Sequence, residues 1–254
     1  MLVTQACVWQ ERLIFYPQPP PLAPPIVPAG HRSEPLNLRM VDGVRLEGWV
    51  ILPPAKRPPV VIYFGGNAEE MSAEAIYADH YSGHALALIN YRGYGRSEGR
   101  PGEKALFSDA LEIYDTLTRR DDLDPSRILL HGRSLGSGVA VYLAAQRPVH
   151  AVILTTPFDS VRALAKEAFP WLPVRLILRH PFDSLSRAPQ LHAPLLCLVA
   201  EHDEVIPPYH AKRLFEAWAG PKTWREFAAG HNTISDNVDY WRAVSEFLRQ
   251  TEVI

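Results

Sequence analysis

The stretch Arg127-Ile128-Leu129-Leu130-His131-Gly132-Arg133-Ser134-Leu135-Gly136-Ser137-Gly138 decides how the rest of the chain is read. It opens as a short apolar strand, passes through Gly-x-Ser-x-Gly, and continues into the small-residue helix start Ser137 to Ala145. A serine hydroxyl becomes a useful nucleophile when a base reaches it and the developing oxyanion meets donors already in place. A sharp strand-to-helix turn meets both needs: it lifts the serine clear of the sheet and aims helix N-terminal N–H groups at the reacting carbonyl. Glycines two residues before and two after leave the backbone room to bend, because a Cβ there would strike its neighbours. Ser134 is therefore the candidate nucleophile.

On either side of this turn, strands alternate with helices. Leu36 to Val41 and Val44 to Leu52 flank Asp42-Gly43, a dipeptide that favours a tight hairpin, so the sheet is expected to begin with an antiparallel pair. The apolar runs Pro59 to Phe64, Ala85 to Ile89, Ala151 to Thr155 and Leu195 to Ala200 suit strands buried on both faces, and Lys222 to Phe227 adds a last one. Helical periodicity falls over Glu69 to Tyr81, Ala105 to Leu117, Ala211 to Ala219 and Asn237 to Leu248. The pattern predicts an α/β architecture: a mostly parallel central sheet of about eight strands with helices on both faces. Val161 to Leu191, chopped by Pro170, Pro173, Pro181 and Pro189, reads as a small helical insert after the strand that follows the elbow.

Before the sheet lies Pro17-Gln18-Pro19-Pro20-Pro21-Leu22-Ala23-Pro24-Pro25-Ile26-Val27-Pro28, an extended polyproline-like arm that cannot supply the donors of a helix or central strand. The organisation expected is an N-terminal segment over 1–34 carrying this arm, and one α/β domain over 35–254 with the lid-like insert at 161–191. Met1 to Tyr16 is too short and too interrupted by polar residues to span a bilayer, and it lacks the basic start and small-residue cleavage site of a secretory signal. The expectation is a soluble, cytoplasmic protein, with peripheral membrane contact left open.

With 254 residues, 47% of them hydrophobic, the chain can bury one large core. A net charge of −2, with Lys and Arg spread along the sequence, provides no footprint for nucleic acid. Two cysteines, Cys7 and Cys197, do not make a disulfide framework, and Cys197 reads as a buried strand residue. No Cys/His cluster has metal-ligand spacing, so neither metal nor cofactor is expected.

In such a sheet ligands collect at the carboxyl ends of the strands. After Leu195 to Ala200 comes Glu201-His202-Asp203-Glu204-Val205-Ile206-Pro207; after Lys222 to Phe227 comes Ala228-Ala229-Gly230-His231-Asn232. Ser134, then Asp203, then His231 is the chain order this elbow requires. His231 would take the serine proton, and Asp203 would hold its imidazole in the productive tautomer. Asp159 competes for the acid, with a helix cap near Val161 as its plainer reading, and Glu201 and Glu204 are further alternatives; Asp183 and His131 read as structural. An oxyanion hole needs the N–H of Leu135 and a second donor from Gly65-Gly66-Asn67-Ala68, for which Asn67 is the candidate. The glycine-punctuated loop Tyr91 to Gly99 lacks the spacing of nucleotide loops and reads as a buttress to the site floor.

Taken together, Phe64-Gly65-Gly66-Asn67-Ala68, Tyr91-Arg92-Gly93-Tyr94-Gly95-Arg96-Ser97-Glu98-Gly99, Gly132-Arg133-Ser134-Leu135-Gly136, Asp203 with Val205-Ile206-Pro207, and Gly230-His231-Asn232 resemble the α/β-hydrolase-fold serine hydrolases. The likeness is to the small lineage of α/β-hydrolase domain proteins that includes depalmitoylases and serine-aminopeptidase-like lipases. That resemblance implies the triad Ser134, Asp203 and His231, with oxyanion donors Asn67 and Leu135. It implies acyl transfer on an ester or thioester through an acyl-enzyme, the alternatives being a peptidase or amidase using the same residues, or a non-catalytic binding member of the fold. The family usually has His-Gly before the oxyanion residue where this chain has Gly65-Gly66, and relatives often carry a membrane-anchoring helix that Met1 to Tyr16 does not show. Phe169, Trp171, Leu172 and Leu176 of the insert are the candidate acyl pocket, with ordinary core packing as the plainer reading; for Arg175 and Arg179 the readings are a preference for an anionic head group or, equally, solvated surface positions.

Overall fold

A computed structural model describes residues 10–251; Cys7 and the rest of residues 1–9 lie outside it, as do residues 252–254. Eight strands form one sheet: β1 (Arg32–Arg39), β2 (Arg45–Leu52), β3 (Val60–Phe64), β4 (Ala85–Ile89), β5 (Ile128–Arg133), β6 (Ala151–Thr155), β7 (Leu195–Ala200) and β8 (Lys222–Phe227). Their order across the sheet is β1-β2-β4-β3-β5-β6-β7-β8. β1 pairs antiparallel with β2, and β2 antiparallel with β4; every later pairing is parallel. The β1–β2 turn closes at Asp42-Gly43, where Gly43 takes φ 84°, a left-handed conformation that costs glycine nothing.

The buried strands read as unbroken apolar runs because each face of the sheet has its own core. Val60 and Ile62 of β3 point into one core, shared with Leu106, Ile113, Val139 and Leu214. Val61 and Tyr63 point into the other, shared with Met71, Tyr81, Tyr240 and Val244. The first core is covered by α1 (Glu103–Leu117), α2 (Leu135–Ala144) and α5 (Pro208–Ala217); the second by a 3-10 helix (Met71–Tyr81) and α6 (Val238–Thr251). The Glu69 to Tyr81 periodicity thus takes the tighter 3-10 winding rather than an α-helix, starting where the Met71 N–H is drawn to the Asn90 side chain at 2.9 Å. Between β6 and β7 the prolines break the insert into α3 (Val161–Ala168), the single turn α4 (Val174–Ile177) and a 3-10 turn (Ala188–Gln190).

The proline-rich arm lies along the domain, where the Gly95 N–H donates to the Gln18 carbonyl at 2.9 Å. Residues 10–14 ahead of it are helical and dock on the insert: Gln10 donates to the Ile177 carbonyl at 2.9 Å and accepts from the Arg179 N–H at 3.1 Å. Cys197 is buried and unpaired. Among the described residues no helix is long and apolar enough to cross a membrane.

Candidate active site

The turn at residues 132–136 is held by backbone contacts that leave no room for side chains. A Cβ on Gly136 would stand 1.9 Å from the Phe64 carbonyl oxygen, and one on Gly132 would stand 2.5 Å from the Gly136 carbonyl oxygen. Ser134 takes φ 49° and ψ −116°, a strained conformation for a residue with a Cβ. Its N–H extends the β5–β6 ladder by donating to the Thr155 carbonyl at 2.9 Å, so the sheet itself holds the strain.

The β7–β8 ladder likewise runs past the ends of its strands, with Glu201 N–H donating to the Phe227 carbonyl at 2.8 Å and His202 N–H to the Ala229 carbonyl at 3.0 Å. Two loops therefore leave the sheet side by side, one carrying Asp203 and the other His231. Asp203 Oδ2 and His231 Nδ1 are 2.7 Å apart, and His231 Nε2 lies 3.0 Å from Ser134 Oγ. The other oxygen, Asp203 Oδ1, accepts from the N–H groups of Val205 at 2.9 Å and Ile206 at 2.6 Å. Both lone-pair faces of the carboxylate are thereby committed, and the imidazole can meet it in one orientation only. Glu201, His202 and Glu204 are exposed and make no bond to His231.

Asp159 serves a different histidine. Its Oδ1 lies 2.8 Å from Nδ1 of buried His210, and its Oδ2 3.1 Å from Arg213 Nη1. The cap of α3 is Ser160 instead, whose Oγ accepts from the Ala163 N–H at 3.0 Å. Asp183 accepts from the Ser186 N–H, as a local turn residue does.

Leu135 is the first residue of α2, where an N–H has no partner within the helix. Asn67 follows β3 in the turn that Gly65 and Gly66 open. Neither N–H bonds within the protein among the described residues, whereas the Gly66 N–H is taken by Glu69 at 2.9 Å. Asn67 has its carbonyl fixed instead: it accepts from the Tyr94 hydroxyl at 2.6 Å and from the Tyr16 N–H at 2.9 Å. One turn away, the Tyr91 hydroxyl donates to the Gly65 carbonyl at 2.9 Å. The Tyr91 to Gly99 loop thus holds two carbonyls of the turn after β3. Its Arg92 is spent on Asp109 and Asp42 and is not free for a phosphate.

Glu69 occupies the space beside Gly65 and Gly66. A Cβ at Gly65 would meet the Met71 methyl at 2.3 Å and Glu69 Oε2 at 2.8 Å, so a histidine here, as in the resembling family, would require the ends of those two side chains to move. Glu69 also reaches Arg133, the residue before the serine, at 2.9 Å, and accepts from the Tyr63 hydroxyl at 3.1 Å. Beneath the elbow, His131 joins Tyr81 at 2.9 Å to Thr155 at 2.9 Å, and Thr155 joins Tyr240 at 3.0 Å. Burial pushes the His131 pKa down to about 3, with the Arg133 charge adding to the effect, so this imidazole is neutral. Glu74, nearby, is pushed up to about 7 by burial and by the Glu69 carboxylate.

An apolar cavity of about 470 Å³ lies between the insert and residues 10–14; Phe169, Trp171 and Leu172 line it with Leu13, Ile14, Leu164 and Ile177. Leu176 does not; it lines an adjoining groove of about 390 Å³ with Arg162, Lys166 and Arg175. None of the three triad candidates lines the cavity, but its Ile14 is two residues from Tyr16, whose N–H holds Asn67. The buttressing expected of the Tyr91 to Gly99 loop is made by Tyr91 and Tyr94, whereas the roles of Glu69 and of the wall formed by residues 10–14 escape the sequence, because no spacing rule links partners so far apart in the chain. Among the described residues no three His, Cys, Asp or Glu side chains converge as metal ligands do.

Comparisons with known proteins bear on the fold. Residues 59–176 match the family described as alpha/beta hydrolase fold. An uncharacterized protein of Mycobacterium tuberculosis is 37% identical, over 97% of this chain and 90% of its own length. The alpha/beta hydrolase domain-containing protein WAV2 of Arabidopsis thaliana is 31% identical, over 95% of this chain and 88% of its own. Among solved structures, an acetyl xylan esterase from Paenibacillus superposes with a TM-score of 0.71 at 20% identity, over 99% of this chain and 93% of that one.

Proposed function

The chain belongs to the α/β-hydrolase fold family, and we propose that within it the protein is a serine hydrolase cleaving carboxylic esters or thioesters of apolar acyl groups. The observation that carries this reading is the unbroken hydrogen-bonded chain Asp203–His231–Ser134, ending on a serine held in a strained elbow. Ser134 Oγ attacks the acyl carbonyl as His231 Nε2 takes its proton. Asp203, bonded to Nδ1, keeps Nε2 as the basic nitrogen and stabilises the imidazolium that forms. The negative charge on the carbonyl oxygen is met by the N–H groups of Leu135 and Asn67. His231 returns the proton to the leaving alcohol or thiol, which departs and leaves an acyl-serine. Water enters, gives its proton to His231 and attacks the acyl-serine; collapse of the second tetrahedral species returns the proton to Ser134 Oγ and frees the acid.

The apolar cavity supports an acyl chain rather than a polar side chain as the group accepted, since 13 residues of almost wholly apolar character line it. Labelling with a fluorophosphonate probe tests the nucleophile: wild type should label and Ser134→Ala should not. Label that persists in Ser134→Ala places the nucleophile elsewhere. Turnover of p-nitrophenyl esters against the matching anilides then separates esterase from amidase chemistry.

A further inference from the structure

We propose that the insert face surrounding the apolar cavity is a docking surface for an anionic lipid membrane, so that the cavity mouth sits on the bilayer from which acyl substrates enter. The inference rests on the hydrolase reading only for what enters the cavity; the docking stands on the surface itself. Charge is segregated here. The chain as a whole carries −2, yet residues 161–179 hold four cations, Arg162, Lys166, Arg175 and Arg179, against one acid, Glu167. That acid is itself exposed and is engaged by His210, Tyr209 and Arg213 on α5, so the segment keeps an excess of cations, four against one. Lys166, Arg175 and Arg179 have no carboxylate partner among the described residues, and Arg162 has only Asp183, at 3.7 Å.

Interleaved with these cations are large apolar side chains that stay open to solvent, although Phe169 and Trp171 meet edge to face. Leu176 is 85% exposed, Trp171 76% and Leu13 56%, and Phe169 and Ile177 are open as well. On a soluble surface a contiguous group of this kind marks a contact with something apolar. Tryptophan beside lysine and arginine is the composition that settles at the headgroup level of a bilayer: the ring enters the boundary and the cations meet anionic phosphates. The apolar cavity and the cation-lined groove share Leu172 and Val174, so one face offers both the apolar entry and the charge. A protein partner would not need the groove's cations and the cavity's opening on the same face; an anionic bilayer matches both.

Sedimentation with phosphatidylcholine vesicles, with and without phosphatidylserine, tests the proposal. Wild type and Ser134→Ala should pellet with the anionic vesicles and stay in solution with the neutral ones, and added salt should release them. The double variant Lys166→Ala/Arg175→Ala should partition roughly 25-fold more weakly, at about fivefold for each cation removed. It should hydrolyse a short water-soluble ester at the wild-type rate, which separates lost docking from lost folding. Equal partitioning on both kinds of vesicle, or unchanged partitioning of the double variant, overturns the proposal. If wild type docks on anionic vesicles yet neither labels with a fluorophosphonate nor cleaves any ester, the hydrolase reading fails and the docking surface stands.

Discussion

The Tyr94 hydroxyl donates to the Asn67 carbonyl at 2.6 Å, and the Tyr16 N–H is shared between that carbonyl at 2.9 Å and the Tyr94 oxygen at 3.0 Å. The gripped carbonyl lies in the peptide unit just after the one that carries the Asn67 N–H, so this triangle restrains that N–H through the Asn67 backbone dihedrals. Tyr94→Phe removes one grip and leaves the ring in the core. The expected result is a fall in kcat of roughly three- to tenfold with KM nearly unchanged, because the donor matters most once charge has developed on the oxygen. Stability should drop by about 1 kcal/mol from the lost hydrogen bond. A rise in KM at constant kcat would show that the triangle serves binding instead.

The two aspartates offered by the sequence for the acid should part cleanly under substitution. Asp203→Asn should lower kcat by about 10³–10⁴-fold with only a small change in melting temperature, since a side-chain amide can still accept from Val205 and Ile206 but favours the wrong tautomer of His231. Asp159→Asn breaks a buried carboxylate away from His210 and Arg213, and should destabilise by about 1–3 kcal/mol while leaving kcat within a few-fold of wild type. Steady-state hydrolysis of a short ester and thermal melts on the same preparations read both. The opposite pattern would hand the acid's role to Asp159.

The sheet and the elbow were legible because their signals are local. A strand buried on both faces must be apolar throughout, and a turn in which Gly136 lies against Phe64 must be glycine; both constraints are written in neighbouring residues. Asp203 and His231 were nominated by a topological argument: parallel strands deliver their following loops to one edge, and the β7–β8 ladder brings these two loops together. What escaped the sequence is set by pairings across long separations. Glu69 reads only as the first residue of the Glu69 to Tyr81 periodicity, and its contact with Arg133 appears only when β3 and β5 lie side by side. Gln10 and Ile14 read as the end of an undistinguished N-terminal stretch. Their place as a cavity wall depends on an insert that begins more than 140 residues later. Asp159 was misplaced as a helix cap because Ser160, next to it, is an equally good one, and a buried histidine on α5 bound the carboxylate first.

If the cavity takes the acyl chain, filling it should shorten the chains accepted. Ala165 lines it on α3, and Ala165→Phe adds a ring into open space rather than into packed core. Acetyl and butyryl esters should be turned over at close to the wild-type rate, whereas kcat/KM for long-chain esters should fall by about tenfold or more, as the displaced methylenes, each worth about 0.8 kcal/mol when buried, lose their contact. A uniform loss across chain lengths would assign the cavity to another purpose.

Buried His131 and half-buried Glu74, both near the elbow, should tilt stability in opposite directions with pH. His131 has its pKa depressed from an ordinary 6.5 to about 3, mainly by burial. Between those values the unfolded chain binds a proton that the folded one refuses, so this contribution is lost as pH falls from about 6.5 toward 3. Glu74 has its pKa raised from 4.5 to about 7, by burial and then by Glu69. Here the folded chain keeps a proton that the unfolded one releases, so the contribution is whole below about 4.5 and is lost as pH rises through about 7. Glu74→Gln keeps the neutral shape and removes the titration. It should melt close to wild type at about pH 4.5 and above it at about pH 8, by an amount on the order of 1–3 kcal/mol. His131→Asn should be less stable throughout, because Tyr81 and Thr155 lose a buried partner, yet it should show a shallower decline on acidification than wild type. Calorimetric melts of the three proteins across this range check both signs. An equal offset of Glu74→Gln from wild type at both ends would mean that Glu74 does not change protonation within the interval, and that the Glu69–Arg133 pair screens it fully.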